Sequence, residues 1–183
     1  LQAGRRVTVL DGADGDFRAS QGNFGLVWLQ GKGADFAPYA EWTRDAVAAW
    51  PCFAAMLEEL SGLDLALDQS GGFEFFTDTT ELEDFRAALE RQQADLGNRF
   101  SHEIVSGNDL RRMHPGIGSG VVGATFCALD GQVNPLRLLR ALRCAVTALG
   151  GRIITDAQVS DIAAATGGGF DLTLQGGERL GAD

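Results

Sequence analysis

Cysteine, histidine, lysine and proline are scarce in this chain, and no apolar run is long. None approaches the roughly 20 residues that cross a bilayer, so no membrane span is expected. The three cysteines, Cys52, Cys127 and Cys144, stand far apart, form no CxxC and lie near no histidine cluster. That argues against a zinc site and a disulfide framework; buried free thiols in a reducing compartment are expected. His102 and His114 each sit alone in polar surroundings, without a partner at ligand or triad spacing. They read as surface or structural residues, and no metal is expected. GxSxG, HExxH and Walker A sequences are missing, which leaves hydrolase, zincin and P-loop readings without support. Basic residues are outnumbered, 15 Lys and Arg against 25 Asp and Glu, for a formal net charge of −10. Such a chain repels polyanions, so nucleic acid is not an expected partner; an acidic surface suits a soluble cytoplasmic enzyme. The opening LQAGRR has no apolar core and is not a secretory signal. No initiator Met is present, and a fragment, a processed product and a trimmed chain are all open readings.

What is there reads as a globular protein of 183 residues, one moderate domain or parts of two. Hydrophobic residues make up 45% and charged ones 22%, which argues against disorder. RRVTVLD reads as a short buried strand ending at Asp11, and GADGDFRASQGNFG as a loop. From about 35 to 62 apolar residues recur at threes and fours, as on a helix, with Pro51 expected to kink it or start a second one. Trp42 and Trp50 on that helix are expected in the core. GGFEFFTDT reads as a strand. The stretch from Thr79 to Gly97 is the clearest helix, with Thr80 and Glu83 as a capping box and Leu82, Phe85, Leu89 and Leu96 on one face. One or two strands are expected around an Asp130-Gly131 turn. Pro135 then opens a helix, capped by Asn134, with Leu136, Leu139, Leu142 and Val146 as its apolar stripe. Short strands follow to the end, as a strand and then a β-meander. Mixed helices and strands of this kind imply an α/β (α+β) fold.

Four stretches carry a resemblance: VTVLD, ASQGNFGLVW, GGFEFFTDTTELEDFRAALE and the long run from DGQVNPLRLLRALRC to VSDI. Together they resemble the D-amino-acid-oxidase-type FAD-dependent oxidoreductases, which include glycine oxidase, sarcosine oxidase and the small subunits of opine oxidase and hydrogen cyanide synthase. QGNFGLVWLQGKG looks most like the opine-oxidase and cyanide-synthase branch. The family's opening GxGxxG, which presents helix amides to the FAD pyrophosphate, is missing here. The resemblance implies a partial Rossmann-like FAD-binding domain and part of a mixed-sheet substrate domain. Residues 1–70 would be partial FAD-binding region and connecting helices, 71–132 a substrate-domain segment, and 133–183 the return to the FAD domain with a β-meander.

The implied activity is oxidation of the C–N bond of an amino acid, opine or related amine by hydride transfer to the flavin; the alternative is a non-catalytic remnant or assembly fragment that binds no flavin. Asp11 ends a strand, where an acid accepts hydrogen bonds from the adenosine ribose. Ala19, Ser20, Gly22 and Gly25 are small enough for close approach of FAD, and glycine permits unusual dihedrals. Ser20 is placed to bond a phosphate oxygen, and Leu26, Val27 and Trp28 begin a wall beside the isoalloxazine ring. Val159 is either an adenine contact through its backbone or a core valine. Lys32, one of very few lysines and set between two glycines, is either part of a flexible turn or a cation near the flavin or an anionic substrate. No residue is assigned as a catalytic acid or base. The partners implied are a small amine or amino-acid substrate and either a second copy, through the unpaired edge of the VTVLD strand, or a larger redox subunit.

Overall fold

The computed structural model describes residues 1–12 and 18–183. Residues 13–17 of the loop read between Gly12 and Gly25 lie outside the described residues. In chain order the elements are β1 (Thr8–Leu10), α1 (Ala19–Gly22), β2 (Leu26–Val27), α2 (Ala37–Ser61), β3 (Gly72–Phe76), α3 (Thr79–Leu96), β4 (Glu103–Ser106), α4 (Gly107–Met113), β5 (Gly123–Cys127), β6 (Gly131–Gln132), α5 (Pro135–Ala148), β7 (Arg152–Ile154), β8 (Val159–Ala164), β9 (Phe170–Leu174) and β10 (Arg179–Ala182). The mixture of helices and strands is the α/β class that the sequence implies. Two compact units divide the chain. The first holds Leu1–Gly22, Leu57–Leu63 and Leu139–Asp183, and the second Asn23–Met56 and Asp64–Leu138.

In the first unit, β1 pairs in parallel with β7, Val9 opposite Ile153. The ladder runs on at Asp11, whose N–H donates to the Ile154 carbonyl (2.9 Å) and whose carbonyl accepts from Ala157 N–H (3.0 Å). Strands β8, β9 and β10 form an antiparallel meander. Its turns need left-handed backbone, supplied by Gly168, Gly169 and Gly177 at φ of 94°, 79° and 85°.

In the second unit, β5 is the central strand of an antiparallel sheet, flanked by β3 and β4, and β2 pairs with β6 as a separate ribbon. Helix α3 lies on the central strand. A side chain at Gly123 would come within 2.7 Å of Leu82, so the glycine makes room for the helix. Leu82, Leu89 and Leu96 of α3 are buried there with Phe100, Leu110 and Ala124. Gly97, at φ 60°, ends the helix.

Several elements depart from the sequence expectations, each for a local reason. Helix α2 runs unbroken through Pro51. Proline offers no N–H to the carbonyl four residues back, and Gln69 fills the gap, its Nε2 donating to Val47 O at 3.2 Å. Trp42 is not core; it stands 73% exposed. The cap of α3 is Asp78, whose carboxylate accepts from Thr80 N and Glu81 N (2.7 and 3.0 Å), not Thr80. The two strands expected around Asp130-Gly131 are present as β5 and β6, joined by a turn in which Asp130 N–H donates to Cys127 O (3.2 Å), and they belong to different sheets. On α5 the buried positions are Ala141 and Ala145, while Leu136 and Leu142 are exposed. Asn134 does cap that helix, its side-chain oxygen accepting from Leu136 N and Arg137 N (3.2 and 3.0 Å). All three cysteines are free, but only Cys127 is buried; Cys144 is intermediate and Cys52 exposed. No helix among the described residues is long and apolar enough to cross a membrane.

Candidate functional site

The first unit gathers charged and small groups at the carboxyl end of β1. Asp11 follows the strand, and its carboxylate is held from two sides. Arg18 donates to Oδ1 and also to the Gly12 carbonyl. Arg143, from the middle of α5, reaches Oδ2 at 3.3 Å. The hydrogen bond from Arg18, followed by the charges of Arg18 and Arg143, holds the Asp11 carboxyl below the ordinary carboxylate range. The side chain keeps 27% of its surface open to solvent. An ionised carboxylate has about four lone-pair positions, so two guanidinium contacts leave room for hydroxyl donors. Arg143 also lines an open groove of about 550 Å³ with Cys144, Thr147, Ala148 and Ile153.

The loop after β7 closes the other side. Gln158 lies against Gly12, its Cα 3.5 Å from where a side chain on that glycine would begin. Val159, the next residue, opens β8 and is half-buried. Thus Asp11 and the backbone leading to Val159 meet at one strand end. Ala19, Ser20 and Gly22 form the short exposed helix α1, directly after Arg18. The Arg18–Asp11 ion pair therefore ties the start of that helix to the strand.

Gly25 and Leu26 belong to the second unit. Gly25 is buried at φ 72°, and a side chain there would sit 1.9 Å from Val133 O. Backbone packing against Val133 is by itself sufficient reason for a glycine. Leu26 is 55% exposed on β2, whereas Val27 is buried. Lys32 is exposed, but the turn that carries it is not loose: the buried Gln92 of α3 bonds to Leu29 O, Gly31 N and Lys32 O (3.0, 2.9 and 2.9 Å). No group of three or more His, Cys, Asp or Glu among the described residues is arranged for a metal ion.

The adenosine end of FAD fits the first-unit arrangement: an ionised, accessible acid at a strand end, two cations beside it, and small exposed residues following. Arg18, Arg143 and Gln158 were not singled out by the sequence. Arg18 lies in the loop itself and was a readable signal. Arg143 follows Arg137 and Arg140 at spacings of three, which marks a solvated helix face and nothing more.

Comparison with known proteins follows the same line. The family model described as FAD dependent oxidoreductase (DAO) matches residues 1–183. An opine oxidase subunit from Agrobacterium tumefaciens (strain Ach5) is 39% identical over 168 residues, covering 91% of this chain and 45% of that protein. Its counterpart from Rhizobium meliloti, also an opine oxidase subunit, is 36% identical over 168 residues, covering the same shares, 91% and 45%. The chain thus spans less than half the length of these relatives. Among solved structures, the glycine oxidase of Geobacillus kaustophilus has the same fold, with a TM-score of 0.86 at 24% identity over 99% of this chain and 48% of that one. With the family model matched from the first residue to the last, this chain belongs to the FAD-dependent oxidoreductase (DAO) family.

Proposed function

We propose that this chain is part of an FAD-dependent enzyme that oxidises the C–N bond of an amino acid, opine or related amine. The observation that carries the reading is Asp11, an ionised and accessible acid at the end of β1, flanked by Gly12 and Gln158. The names of the two relatives, both opine oxidase subunits, support the substrate class and membership of an oxidase with more than one kind of subunit. In this reading residues 1–70 and 133–183 carry the FAD-binding parts and 71–132 a substrate-domain segment.

When bound, FAD supplies the hydride acceptor; the protein's part is binding and orientation. Asp11 accepts the ribose hydroxyls, with Arg18 and Arg143 keeping its carboxylate charged and fixed. Ala19, Ser20 and Gly22 give the cofactor close access to backbone, and Ser20 bonds a phosphate oxygen. Val159 contributes its backbone to the adenine, and Gly25 and Leu26 are further proposed cofactor contacts.

Titration of the purified chain with FAD, followed by absorbance and by quenching of flavin fluorescence, tests this. Micromolar binding is expected. Asp11→Ala should weaken it about tenfold, the cost of losing hydrogen bonds to a charged acceptor. No binding, or equal affinity in the Asp11→Ala chain, would sink the assignment. Co-purification of a larger flavin or iron–sulfur subunit with the natural protein tests the heteromeric part.

A further inference from the structure

The segment after β2 is held in an unusual way. Strand β2 pairs with β6 only through Leu26 and Val27. Beyond Trp28 the chain leaves the ribbon, and side chains from distant elements take over its backbone groups. Leu29 N–H donates to Asp130 Oδ1 at 2.6 Å. Leu29 O and Lys32 O accept from Gln92 Nε2, and Gly31 N–H donates to Gln92 Oε1. Gln30 turns inward, donating to Gly72 O at 3.1 Å and accepting from Thr125 Oγ1 at 2.5 Å. Leu29, Gln92, Thr125 and Asp130 are all fully buried, and Gln30 nearly so.

Burying this many polar groups is expensive unless each is matched, and an apolar core would hold the same volume at lower cost. What a polar latch adds is a fixed backbone. The indole of Trp28 shares in it. A side chain on Gly72 would lie 2.4 Å from that ring and 2.9 Å from Asp130 Cβ, so the glycine lets the ring lie directly against β3. Asp130 Oδ2 has no hydrogen-bond partner. Burial, the largest influence on it, pushes the acid up. Cys127 is the titratable group that faces it.

We propose that Gln92 and Asp130 are positioning residues, which fix the Trp28–Lys32 segment so that it serves as a flavin-side wall. The inference rests on the reading that residues 26–28 face the flavin. It assigns the work to two side chains that touch no cofactor and act only through the backbone of residues 29–32.

Lys32, the chain's single lysine, gives a probe on the latched turn. Reductive methylation with ¹³C-formaldehyde labels its Nζ, and the α-amino group gives a separate resonance. The Lys32 methyl line width is measured in the wild-type chain and in Gln92→Ala, Asp130→Ala and Asp130→Asn, with FAD and ADP affinities by titration and the fold checked by circular dichroism. Asp130→Asn keeps the acceptor for Leu29 and should match the wild type in every readout. Gln92→Ala and Asp130→Ala should sharpen the Lys32 signal and weaken FAD about tenfold while leaving ADP, which has no isoalloxazine ring and reports on the adenosine diphosphate end, unchanged. Unchanged FAD affinity in both alanine variants, equal losses of FAD and ADP, or an Asp130→Asn chain that behaves like Asp130→Ala would overturn the proposal. Should the alanine variants fail to fold, Gln92→Glu, which keeps the acceptor for Gly31 and loses both donors, should show the same selective loss of FAD; a wild-type affinity overturns the latch. If the folded wild type takes no FAD, the flavin reading fails on its own. The latch then stands if the Lys32 signal sharpens in Gln92→Ala and Asp130→Ala but not in Asp130→Asn, and falls if the signal is unaltered.

Discussion

Cys127 and Cys52 carry the same thiol in opposite surroundings. Cys127 is fully buried, and burial, followed by the nearby Asp130 charge, pushes its thiol from 9.0 up to about 11. Cys52 is exposed. The thiolate is the nucleophile, so iodoacetamide at mildly alkaline pH should modify Cys52 and spare Cys127 in the folded chain, read by peptide mass spectrometry. Equal labelling of the two would contradict the burial of Cys127. The sign of the linked stability follows from the upward shift. The fold favours the protonated thiol, so its contribution is complete below about pH 9 and is lost as pH rises through about 11.

Residues of this kind also mark the limit of what the sequence could tell. Asp11 was legible because an acid at a strand end, ahead of a loop of small residues, has a physical reading. Asp130 was not. Its local sequence, Asp-Gly, signals a turn, and nothing nearby reveals that its carboxylate reaches back 101 positions to Leu29. Lys32 misled in the other direction. Two flanking glycines suggest a flexible turn, but the rigidity comes from Gln92, 60 residues away.

At the scale of elements, periodicity located most helices and strands, because hydrophobic spacing is a local record of burial. It failed where a distant side chain repairs a local defect. Pro51 is the clear case: propensity predicts a break, and Gln69 removes the penalty by donating to the Val47 carbonyl that proline leaves unserved. A double-mutant cycle tests this. Gln69→Ala should cost about 1 kcal/mol when Pro51 is present. In the Pro51→Ala background the helix supplies its own donor, and the same change should cost less, with the remainder coming from Gln69's second bond, to Leu129 O. Equal costs in both backgrounds, measured by urea denaturation, would show that Gln69 does not stand in for the missing N–H. The stripe of α5 failed as well. Alanines at 141 and 145 take the buried face, and Leu136 and Leu142 are left outside, so the larger apolar residues do not mark the side that packs.

At the scale of the whole molecule, two features oppose each other. Large apolar side chains stand in water on the second unit: Phe24 is 86%, Trp42 73% and Phe36 63% exposed. In the first unit β1 and β7 form a sheet of two strands, so each has an outward edge with no partner strand among the described residues. Both features favour self-association. Against them stands the formal net charge of −10, which makes two copies repel. Salt separates these effects, because it screens charge over about 10 Å at 0.1 M and leaves apolar attraction intact. Light scattering should therefore show the mass of the chain rising with concentration, and rising further from low salt to about 0.5 M. Trp42→Glu should shift the equilibrium back toward monomer, since it removes exposed apolar surface and adds one negative charge. A monomer at every salt and concentration would mean that exposed apolar surface and open strand edges together are too small to drive pairing. Association that Trp42→Glu leaves unchanged would exclude Trp42 from the contact and leave Phe24, Phe36 and the β1–β7 edges as its sites.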